Sequence, residues 1–357
     1  MPAKRLTADC IWNSFRSSGK RHLILTGTRG SGKTTLLKKL FPNALPGLTT
    51  WAKPKQSVYL QDNCSGETVQ AGIFDASLPG PGNQMVLLQD GFTSLGIPVL
   101  ERAMESESQW VSIDEIGYLE AICESYHDTL RKLLEKKQMA AVVRKQSLPF
   151  LEELRNREDV FVVDLDDPFG NIGCVVMASG LGKRFGGNKL LADFHGQPMI
   201  HRILDATEGI FAQRVVVTRS EEVASLCQER GIRTVLHSQP HRSDTVRLGM
   251  EAIPGINRCM FTPADQPLLR RDTIASLAIV AKNTPDAIWR TSCDGVHGSP
   301  VVFPDWTFPE LQKLPKGKGG GFVVKKYPEH LHTVNVRDMY ELKDVDSPED
   351  LSELLER

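Results

Sequence analysis

No stretch of the sequence approaches the ~20 consecutive apolar residues that a helix needs to cross a bilayer. Residues 1–20 contain Lys and Arg but lack the continuous apolar segment of a secretory signal peptide. Both absences argue against a membrane-spanning or secreted protein. We therefore expect a soluble, cytoplasmic protein with no membrane partner.

A dominant charge of either sign is also lacking. The chain has 43 Lys and Arg against 44 Asp and Glu, a formal net charge of −1, with the two signs mixed along its length. Nucleic-acid-binding domains carry a basic face that neutralises phosphates. The sequence therefore argues against a nucleic-acid partner and favours small-molecule substrates.

Cysteine is sparse. The seven cysteines are odd in number, widely scattered and never form a C-x-x-C pair. This pattern predicts no zinc site and is typical of a reducing compartment.

The chain, at 357 residues, is too long for one ordinary hydrophobic core. Short β-branched runs alternate with amphipathic helical stretches, as in βα units with mostly parallel sheets, and the pattern occurs twice. Turn residues cluster at positions 166–171, where the second pattern begins. We predict a two-domain α/β protein divided into residues 1–168 and 172–357.

Strands are predicted in both domains from the β-branched runs. In the first domain they are residues 22–26, 110–114, 140–144 and 160–164, with a helix at 120–136. The Gly- and turn-rich segment 57–89 is interpreted as an antiparallel hairpin. In the second domain they are residues 174–178, 214–218, 233–237, 258–262, 287–291, 300–303 and 331–336.

A complete phosphate-binding motif lies in the first domain. Segment 27–34, Gly-Thr-Arg-Gly-Ser-Gly-Lys-Thr, satisfies G-x-x-x-x-G-K-[ST] between an apolar run and a helix-like stretch. Its glycines let backbone N–H groups turn around phosphate oxygens, and the helix N-terminus adds partial positive charge. We expect Lys33 to bind the β- and γ-phosphates as a catalytic residue and Thr34 to offer its hydroxyl to Mg²⁺. The nucleotide-binding candidates are Gly27, Gly30, Gly32, Lys33, Thr34 and Thr35.

A second element of the same site follows downstream. The apolar run 110–113 ends in Asp114 and Glu115, as in a Walker B segment. Asp114 is predicted to hold Mg²⁺, and Glu115 to orient or deprotonate the attacking water. The N-K-x-D motif that reads guanine is missing, so the sequence does not predict the base.

Segments 27–34, 114–120 and 142–145 resemble the small P-loop nucleoside triphosphatase family first described from thermophiles, over roughly residues 20–168. The resemblance implies slow NTP hydrolysis with broad base tolerance. The family's G-F-x-T-x-E-x-R segment is not recognisable, and residues 57–75 occupy its place. Arg144 is a candidate replacement for its arginine, the alternative being a helix-start or surface arginine.

A different glycine loop opens the second domain. Segment 176–191, V-M-A-S-G-L-G-K-R-F-G-G-N-K-L-L, matches the nucleotidyltransferase pattern A-x-G-x-G-x-R-[MF]-G-x-x-K. A dinucleotide-binding fold is the alternative, but no acidic residue ends a following strand at the ribose-reading spacing. Arg184 and Lys189 suit an enzyme that neutralises departing pyrophosphate. Further nucleotide-binding candidates are Ala178, Ser179, Gly180, Gly182 and Lys189.

Two more polar segments complete this predicted site. Asp265 follows the strand at 258–262, and parallel α/β sheets carry metal ligands at such strand ends. We predict that Asp265 binds Mg²⁺ and is catalytic, the alternative being a helix cap. Ser243, in the segment 241–245, is a nucleotide-binding candidate, although Ser243 and Asp244 also suit a helix N-cap.

Residues 172–357 resemble the molybdenum cofactor cytidylyltransferases. The likeness rests on the loop, on Asp265-Gln266-Pro267, on G-S-P-V-V-F at 298–303 and on D-V-D-S-P-E-D-L at 344–351. It implies a Rossmann-like nucleotidyltransferase fold. Asp344 or Asp346 is a candidate second metal ligand, the alternative being caps of the last helix. The family's G-D-x-G segment is replaced by K-G-K-G-G-G at 316–321.

Together these resemblances predict a P-loop NTPase fold followed by a nucleotidyltransferase fold. They imply Mg²⁺-dependent transfer of CMP from CTP to a molybdopterin-type acceptor with pyrophosphate release, plus NTP hydrolysis, and a molybdenum hydroxylase as recipient. One alternative is another transfer: guanylyl transfer to molybdopterin, or transfer to a sugar or isoprenoid-precursor phosphate. The other is a nucleotide-gated cofactor carrier or insertion chaperone.

Overall fold

The computed structural model describes residues 6–78, 85–120, 123–180, 182 and 184–357. The chain divides into an N-terminal unit, Ser18–Pro168, and a C-terminal unit, in which the first helix joins Phe169–Arg357. That helix, α1 (Ala8–Ser18), buries an apolar face, and the Ser276 hydroxyl donates a 3.0 Å hydrogen bond to the Cys10 carbonyl. The division predicted at residues 168–172 therefore needs one correction. An amphipathic pattern predicts a buried helix face but does not say which domain buries it.

The N-terminal unit is built on one sheet. Its strands are β1 (His22–Thr26), β2 (Gly47–Lys53), β3 (Ser57–Asp62), β4 (Thr68–Phe74), β5 (Met85–Leu87), β6 (Trp110–Ile116), β7 (Gln138–Val143) and β8 (Val160–Asp164). Its helices are α2 (Lys33–Leu40), α3 (Gln89–Gly91), α4 (Ile97–Glu105), α5 (Glu124–Lys136) and α6 (Pro149–Asn156), and a π-helical turn, Phe92–Gly96, joins α3 to α4.

The strand order of this eight-stranded sheet is β5-β4-β3-β2-β6-β7-β1-β8. Strands β2, β6, β7, β1 and β8, neighbours in that order, pair in parallel. Strands β2, β3, β4 and β5 pair antiparallel and form an arm of the sheet. The predicted hairpin in 57–89 is therefore present as β3 and β4, and residues 79–84 of that segment lie outside the described residues. Strand β2 was missed. The helix predicted at 120–136 begins at Glu124.

The C-terminal unit contains a second sheet. Its strands are β9 (Ile172–Ala178), β10 (Gln213–Thr218), β11 (Arg233–Leu236), β12 (Arg258–Pro263), β13 (Ile288–Cys293), β14 (Val296–Pro304) and β15 (Leu331–Asn335). Its further helices are α7 (Ile200–Ala206), α8 (Glu221–Glu229), α9 (Arg242–Ala252), α10 (Arg271–Asn283), α11 (Phe308–Gln312), α12 (Gly321–Lys326) and α13 (Pro348–Leu355). Short 3₁₀ helices occupy Lys189–Leu191, Asp305–Thr307, Pro328–His330 and Met339–Leu342.

This seven-stranded sheet has the order β11-β10-β9-β12-β14-β13-β15. Only β14 runs antiparallel to its neighbours, β12 and β13. Each strand predicted from the sequence is present, with ends shifted by a few residues. Because β9, β10 and β12 are parallel, their carboxyl ends lie at one edge of the sheet, where α/β folds place ligands.

Each unit buries its own apolar cluster under its sheet. Leu48, Ile113 and Leu130 are almost inaccessible in the N-terminal unit, as are Val175, Cys259 and Phe303 in the C-terminal unit. All seven cysteine thiols are free. Among the described helices, none is both long and apolar enough to cross a membrane. The molecule is a two-domain α/β protein, as predicted.

Candidate active sites

The predicted phosphate loop joins β1 to α2. Helix α2 begins at Lys33, preceded by Gly32 at φ 93°, a left-handed conformation that a side chain disfavours. The Lys33 ammonium donates to the carbonyl oxygens of Gly27 at 2.9 Å and Thr28 at 2.7 Å. Gly30 is left-handed as well, and Thr35 is exposed in the first turn of α2. The loop backbone thus fixes the position of the Lys33 ammonium. The ammonium lies at the N-terminus of α2, and helix N-termini favour anions.

Thr34 and Asp114, predicted to share a metal ion, are in direct contact. The Thr34 hydroxyl donates a 2.9 Å hydrogen bond to Oδ1 of Asp114 at the end of the parallel region of β6. Asp114 is 7% exposed. Burial raises the pKa of Asp114, and the hydrogen bond from Thr34 opposes that rise. A buried carboxylate beside a hydroxyl is chemically suited to a hard cation.

Glu115, the predicted water-activating residue, is paired with Arg144. Its φ of 88° is unusual for a residue with a side chain and typically costs about 1–3 kcal/mol. The Arg144 guanidinium contacts Glu115 Oε1 through both Nε and Nη2. It also lies 5.5 Å from the ring centroid of Tyr118. Arg144 therefore lies beside Glu115 and does not start a helix, although its side chain is 42% exposed, as in the surface alternative.

The sequence did not predict the other wall of this site. A cavity of about 1050 Å³ at the loop is also lined by Thr50, Trp51, Lys53 and Lys55 from β2 and the turn that follows. The segment 57–75, which occupies the place of the family's G-F-x-T-x-E-x-R segment, contributes only Ser57 and Val58. The overlooked signal was the strand-like run 47–53 before the turn residues 54–56.

The second predicted loop begins at the end of β9. Gly182 is left-handed, and a Cβ added there would lie 2.2 Å from the Gly187 carbonyl oxygen, so any side chain would break the turn. The Ser179 hydroxyl lies 2.8 Å from His237 Nε2, beyond β11. Ala178 is buried and Gly180 exposed; residues 181 and 183 of the loop lie outside the described residues. The close turn brings residues 184–189 back toward the end of β9.

Lys189 joins two carboxylates. Its ammonium is 2.6 Å from Asp265 Oδ2 and 3.0 Å from Asp346 Oδ1, and Arg184 Nη2 is 2.6 Å from Asp346 Oδ2. Burial lowers the pKa of Lys189, but the charges of Asp265 and Asp346 outweigh burial and raise it overall. The three predicted catalytic residues of this domain, Arg184, Lys189 and Asp265, therefore form one cluster.

Asp344 and Asp346 belong to this cluster and do not cap α13. Ser347 is the N-cap, bonded to Asp350. Gln266 donates a 2.9 Å hydrogen bond to Asp344. Desolvation and the charge of Asp265 raise the pKa of Asp344 to about 6, although part of Asp344 is exposed to solvent. Over the described residues, no group of three or more His, Cys, Asp or Glu side chains forms a metal site.

The Ser243 region differs from the predicted cap. Helix α9 begins at Arg242 with His241 at the N-cap, and Asp244 accepts a 3.1 Å hydrogen bond from the His241 N–H. Ser243 is inside the helix and 9% exposed. Asp244 therefore caps the helix in a capping box with His241, and Ser243 does not cap it.

These geometries define a P-loop NTPase domain followed by a nucleotidyltransferase domain. A family model described as NTPase matches residues 65–168, and one described as a MobA-like NTP transferase domain matches residues 174–333. The nucleoside-triphosphatases THEP1 of Thermotoga sp. (strain RQ2) and Thermotoga maritima are 32% and 31% identical over 153 and 154 residues. Each alignment covers 41% of this chain and 86% of the relative. Through its first domain, the chain belongs to the THEP1 nucleoside-triphosphatase family, and the predicted fusion is confirmed.

Relatives of the second domain match a shorter stretch or share less sequence identity. A 3-deoxy-manno-octulosonate cytidylyltransferase of Neisseria meningitidis serogroup A is 35% identical over 97 residues, 26% of this chain and 38% of that protein. Among solved structures, Rv0371c of Mycobacterium tuberculosis H37Rv is 23% identical, covering 52% of this chain and 99% of its own, with a TM-score of 0.47. For the first domain, the solved structure of THEP1 of Aquifex aeolicus is 24% identical, covering 40% of this chain and 89% of its own, with a TM-score of 0.35.

Proposed function

We propose that the second domain transfers CMP from CTP to the phosphate of a molybdopterin-type cofactor and that the first domain hydrolyses NTPs. The observation that carries the transfer reaction is the placement of Lys189 between Asp265 and Asp346, beside the glycine loop. A nucleotidyltransferase needs cations for pyrophosphate and carboxylates for a divalent metal at one point. This cluster supplies both.

In the transfer, an oxygen of the acceptor phosphate forms a bond to the α-phosphorus of CTP. The bond from that phosphorus to the oxygen bridging to the β-phosphate breaks, and pyrophosphate leaves with the electron pair. Lys189 and Arg184 neutralise charge that grows on the leaving group. The nucleophile is already an anion, so positioning matters more than a general base.

Magnesium fits both sites by the chemistry of their oxygen donors. Mg²⁺ typically binds one or two carboxylates plus substrate phosphates, so a three-carboxylate cage is not required. Thr34 and Asp114 would hold it in the first domain, and Asp265 with Asp344 or Asp346 in the second. When bound, Mg²⁺ supplies positive charge to phosphate oxygens.

In the first domain, water attacks the γ-phosphorus and the bond to the β,γ-bridging oxygen breaks. Glu115 accepts the proton of the water, and Lys33 binds the β- and γ-phosphate oxygens. Arg144 fixes the position of the Glu115 carboxylate.

The molybdopterin-type acceptor is supported by the sequence motifs and by the MobA-like family model. The segment 316–321 departs from that family, because two lysines stand where its G-D-x-G segment has a carboxylate, so either the contacts to the acceptor phosphate differ here or the acceptor is another one. Gly319 of this segment lies so close to Arg242 that an added Cβ would be 2.9 Å from Nε. Arg242 therefore lies in space beside the segment that contains Lys318. A sugar-acid acceptor is the second candidate, because the cytidylyltransferase relative acts on 3-deoxy-manno-octulosonate by name.

Radiolabelled CTP incubated with purified molybdenum cofactor, Mg²⁺ and the full chain tests this proposal. We expect labelled cofactor and one pyrophosphate per CMP transferred, with GTP a poor substitute. Labelled sugar acid from 3-deoxy-manno-octulosonate, with no labelled cofactor, would support the second candidate instead. The Lys189→Ala variant should lose the product, and the Lys33→Ala variant should keep it.

We further propose that a cytoplasmic molybdenum hydroxylase receives the product and that NTP hydrolysis drives this loading. The transfer exchanges one phosphoanhydride for another, so its chemistry needs no second NTP. A second nucleotide site therefore suggests that NTP hydrolysis drives a later step, such as transfer of the product to its recipient. Because α1 packs within the C-terminal unit, a cut near Gly170 would not separate the units, and the intact Lys33→Ala variant tests the coupling instead. If that variant loads an apo-hydroxylase as well as the parent chain does, the coupling is wrong.

A further inference from the structure

Strand β2 continues past the edge of the N-terminal sheet at which Asp114 lies. It pairs in parallel with β6 in the register Leu48 with Ile113 and Thr49 with Asp114. Trp51 follows Thr49 on the same strand face, ~7 Å further along at ~3.3 Å per residue. Because Asp114 contacts Thr34 of the phosphate loop, this face of the sheet is the one that faces the loop. Trp51 therefore lies on the loop side, beyond the end of β6.

Trp51 is ordered without being buried. Its ring stacks on Tyr59 of β3, with centroids 4.5 Å apart and planes at 18°. The residue is nevertheless 41% exposed and lines the phosphate-loop cavity. Stacking on Tyr59 uses one aromatic face and fixes the ring, so little side-chain entropy is lost when a flat group binds the other face.

The cavity has two kinds of lining. Loop backbone and the cations around Lys33 are joined by the apolar groups Trp51, Pro54, Met85 and Tyr118, with Lys53 and Lys55 on either side of Pro54. A ligand that fits this lining has an anionic end and a flat aromatic end. A nucleoside triphosphate has both.

We propose that the base of the NTP bound at the phosphate loop stacks on Trp51. This inference rests on the proposed hydrolytic function of the first domain. Every base offers a π face, so Trp51 accepts all four bases and holds the larger purines more tightly than pyrimidines. Tyr59 is a positioning residue that orients Trp51.

Kinetics of the full chain test the proposal, with Asp265→Asn present throughout to silence transfer in the second domain. Phosphate release gives the KM for ATP and for CTP, and inorganic tripolyphosphate serves as a competitive inhibitor that lacks a base. For Trp51→Ala we expect the KM for ATP to rise about tenfold or more with kcat nearly unchanged. The inhibition constant of tripolyphosphate should stay the same. Trp51→Phe should restore most of the affinity.

Ile73→Ala is the matched control, because Ile73 is also 41% exposed on the antiparallel arm and does not line the cavity. It should behave as wild type. An unchanged KM for Trp51→Ala, or equal weakening of ATP and tripolyphosphate, overturns the stacking. If the parent chain releases no phosphate, the hydrolytic function fails, and equilibrium dialysis of ATP against the same variants still decides the stacking.

Discussion

The carboxylate of Asp166 accepts a 2.8 Å hydrogen bond from the backbone N–H of Thr28 and a 2.9 Å bond from its hydroxyl. Thr28 is the second residue of the phosphate loop, and Asp166 lies just beyond β8, near the end of the N-terminal unit. Lys145 binds Asp166 at 3.1 Å and Asp164 at 2.8 Å. Despite some desolvation, the Lys145 and Thr28 hydrogen bonds lower the pKa of Asp166. Asp166 therefore fixes the start of the loop.

Replacing Asp166 by Ala should loosen the phosphate loop without removing a phosphate contact. We expect a several-fold higher KM for NTP, a nearly unchanged kcat and a loss of stability of about 1–2 kcal/mol. Steady-state kinetics and urea unfolding measure both effects. Glu107→Ala, which removes an exposed carboxylate of the same unit, is the control. Wild-type KM in the Asp166 variant would show that the loop start is ordered without this contact.

Arg144 and Glu115 should behave as one functional pair. Arg144→Ala frees the Glu115 carboxylate from its position, so we expect kcat for NTP hydrolysis to fall about tenfold or more while KM changes less. Arg144→Lys should recover part of the rate, because lysine keeps the charge but not the forked geometry.

A double-mutant cycle separates pairing from general damage. The kcat of the double variant Arg144→Ala, Glu115→Gln should be only slightly lower than that of the more impaired single variant, because both substitutions remove the same interaction. Arg102→Ala, which breaks the ion pair with Asp62 in the same unit, should leave kcat unchanged. Fully additive losses would mean that Arg144 and Glu115 act separately.

The sequence predicted the placement of the candidate site residues better than that of their surroundings. The positions of Lys33, Thr34 and Asp114 in the fold were predictable because a glycine loop and a strand end each have local residue patterns. The contacts Arg144–Glu115 and Lys189–Asp346 join residues far apart in sequence, and no local pattern specifies such pairs. Trp51 was missed for the same reason, since its place beside the loop depends on β2 pairing with β6. Assignment of α1 to the C-terminal unit likewise depends on tertiary packing.

Asp265→Asn should stop nucleotidyl transfer and weaken the apo C-terminal unit. The sequence alone suggests little effect on folding. In the structure, however, the Lys189 side chain is 9% exposed and Asp265 is one of its two carboxylate partners. Loss of that charge should cost about 1–2 kcal/mol of stability.

Transfer should fall at least a hundredfold, and the thermal stabilisation by Mg²⁺-CTP should be lost. Pyrophosphate release and thermal melting with and without Mg²⁺-CTP are the measurements. Glu349→Gln changes an exposed carboxylate at the start of α13, and it should reduce neither the transfer rate nor the thermal stabilisation by Mg²⁺-CTP. Near wild-type transfer by Asp265→Asn would remove Asp265 from the metal site.

His22 should make the N-terminal unit sensitive to acid. Its side chain is fully buried in β1, and its Nδ1 accepts a 3.1 Å hydrogen bond from the Met139 N–H of β7. Burial lowers the pKa of His22 from 6.5 to about 4, although Asp159, 3.3 Å from Nε2, opposes the shift. Between these two pKa values, His22 is protonated in the unfolded chain and neutral in the folded unit. Stability from neutral His22 is complete above its unfolded pKa and is lost as pH falls from there toward the folded value.

Between about pH 7.5 and about pH 5, this linkage should remove about 2 kcal/mol of opening free energy around β1 and β7. Hydrogen exchange of β7 peptides, corrected for the intrinsic pH dependence of exchange, measures it. His22→Asn keeps an acceptor for the Met139 N–H but cannot titrate. The variant should be less stable at neutral pH because it leaves a cavity, yet its opening free energy should change much less on acidification. If both proteins lose the same opening free energy over this range, the acid sensitivity of the sheet arises from other groups and His22 does not control it.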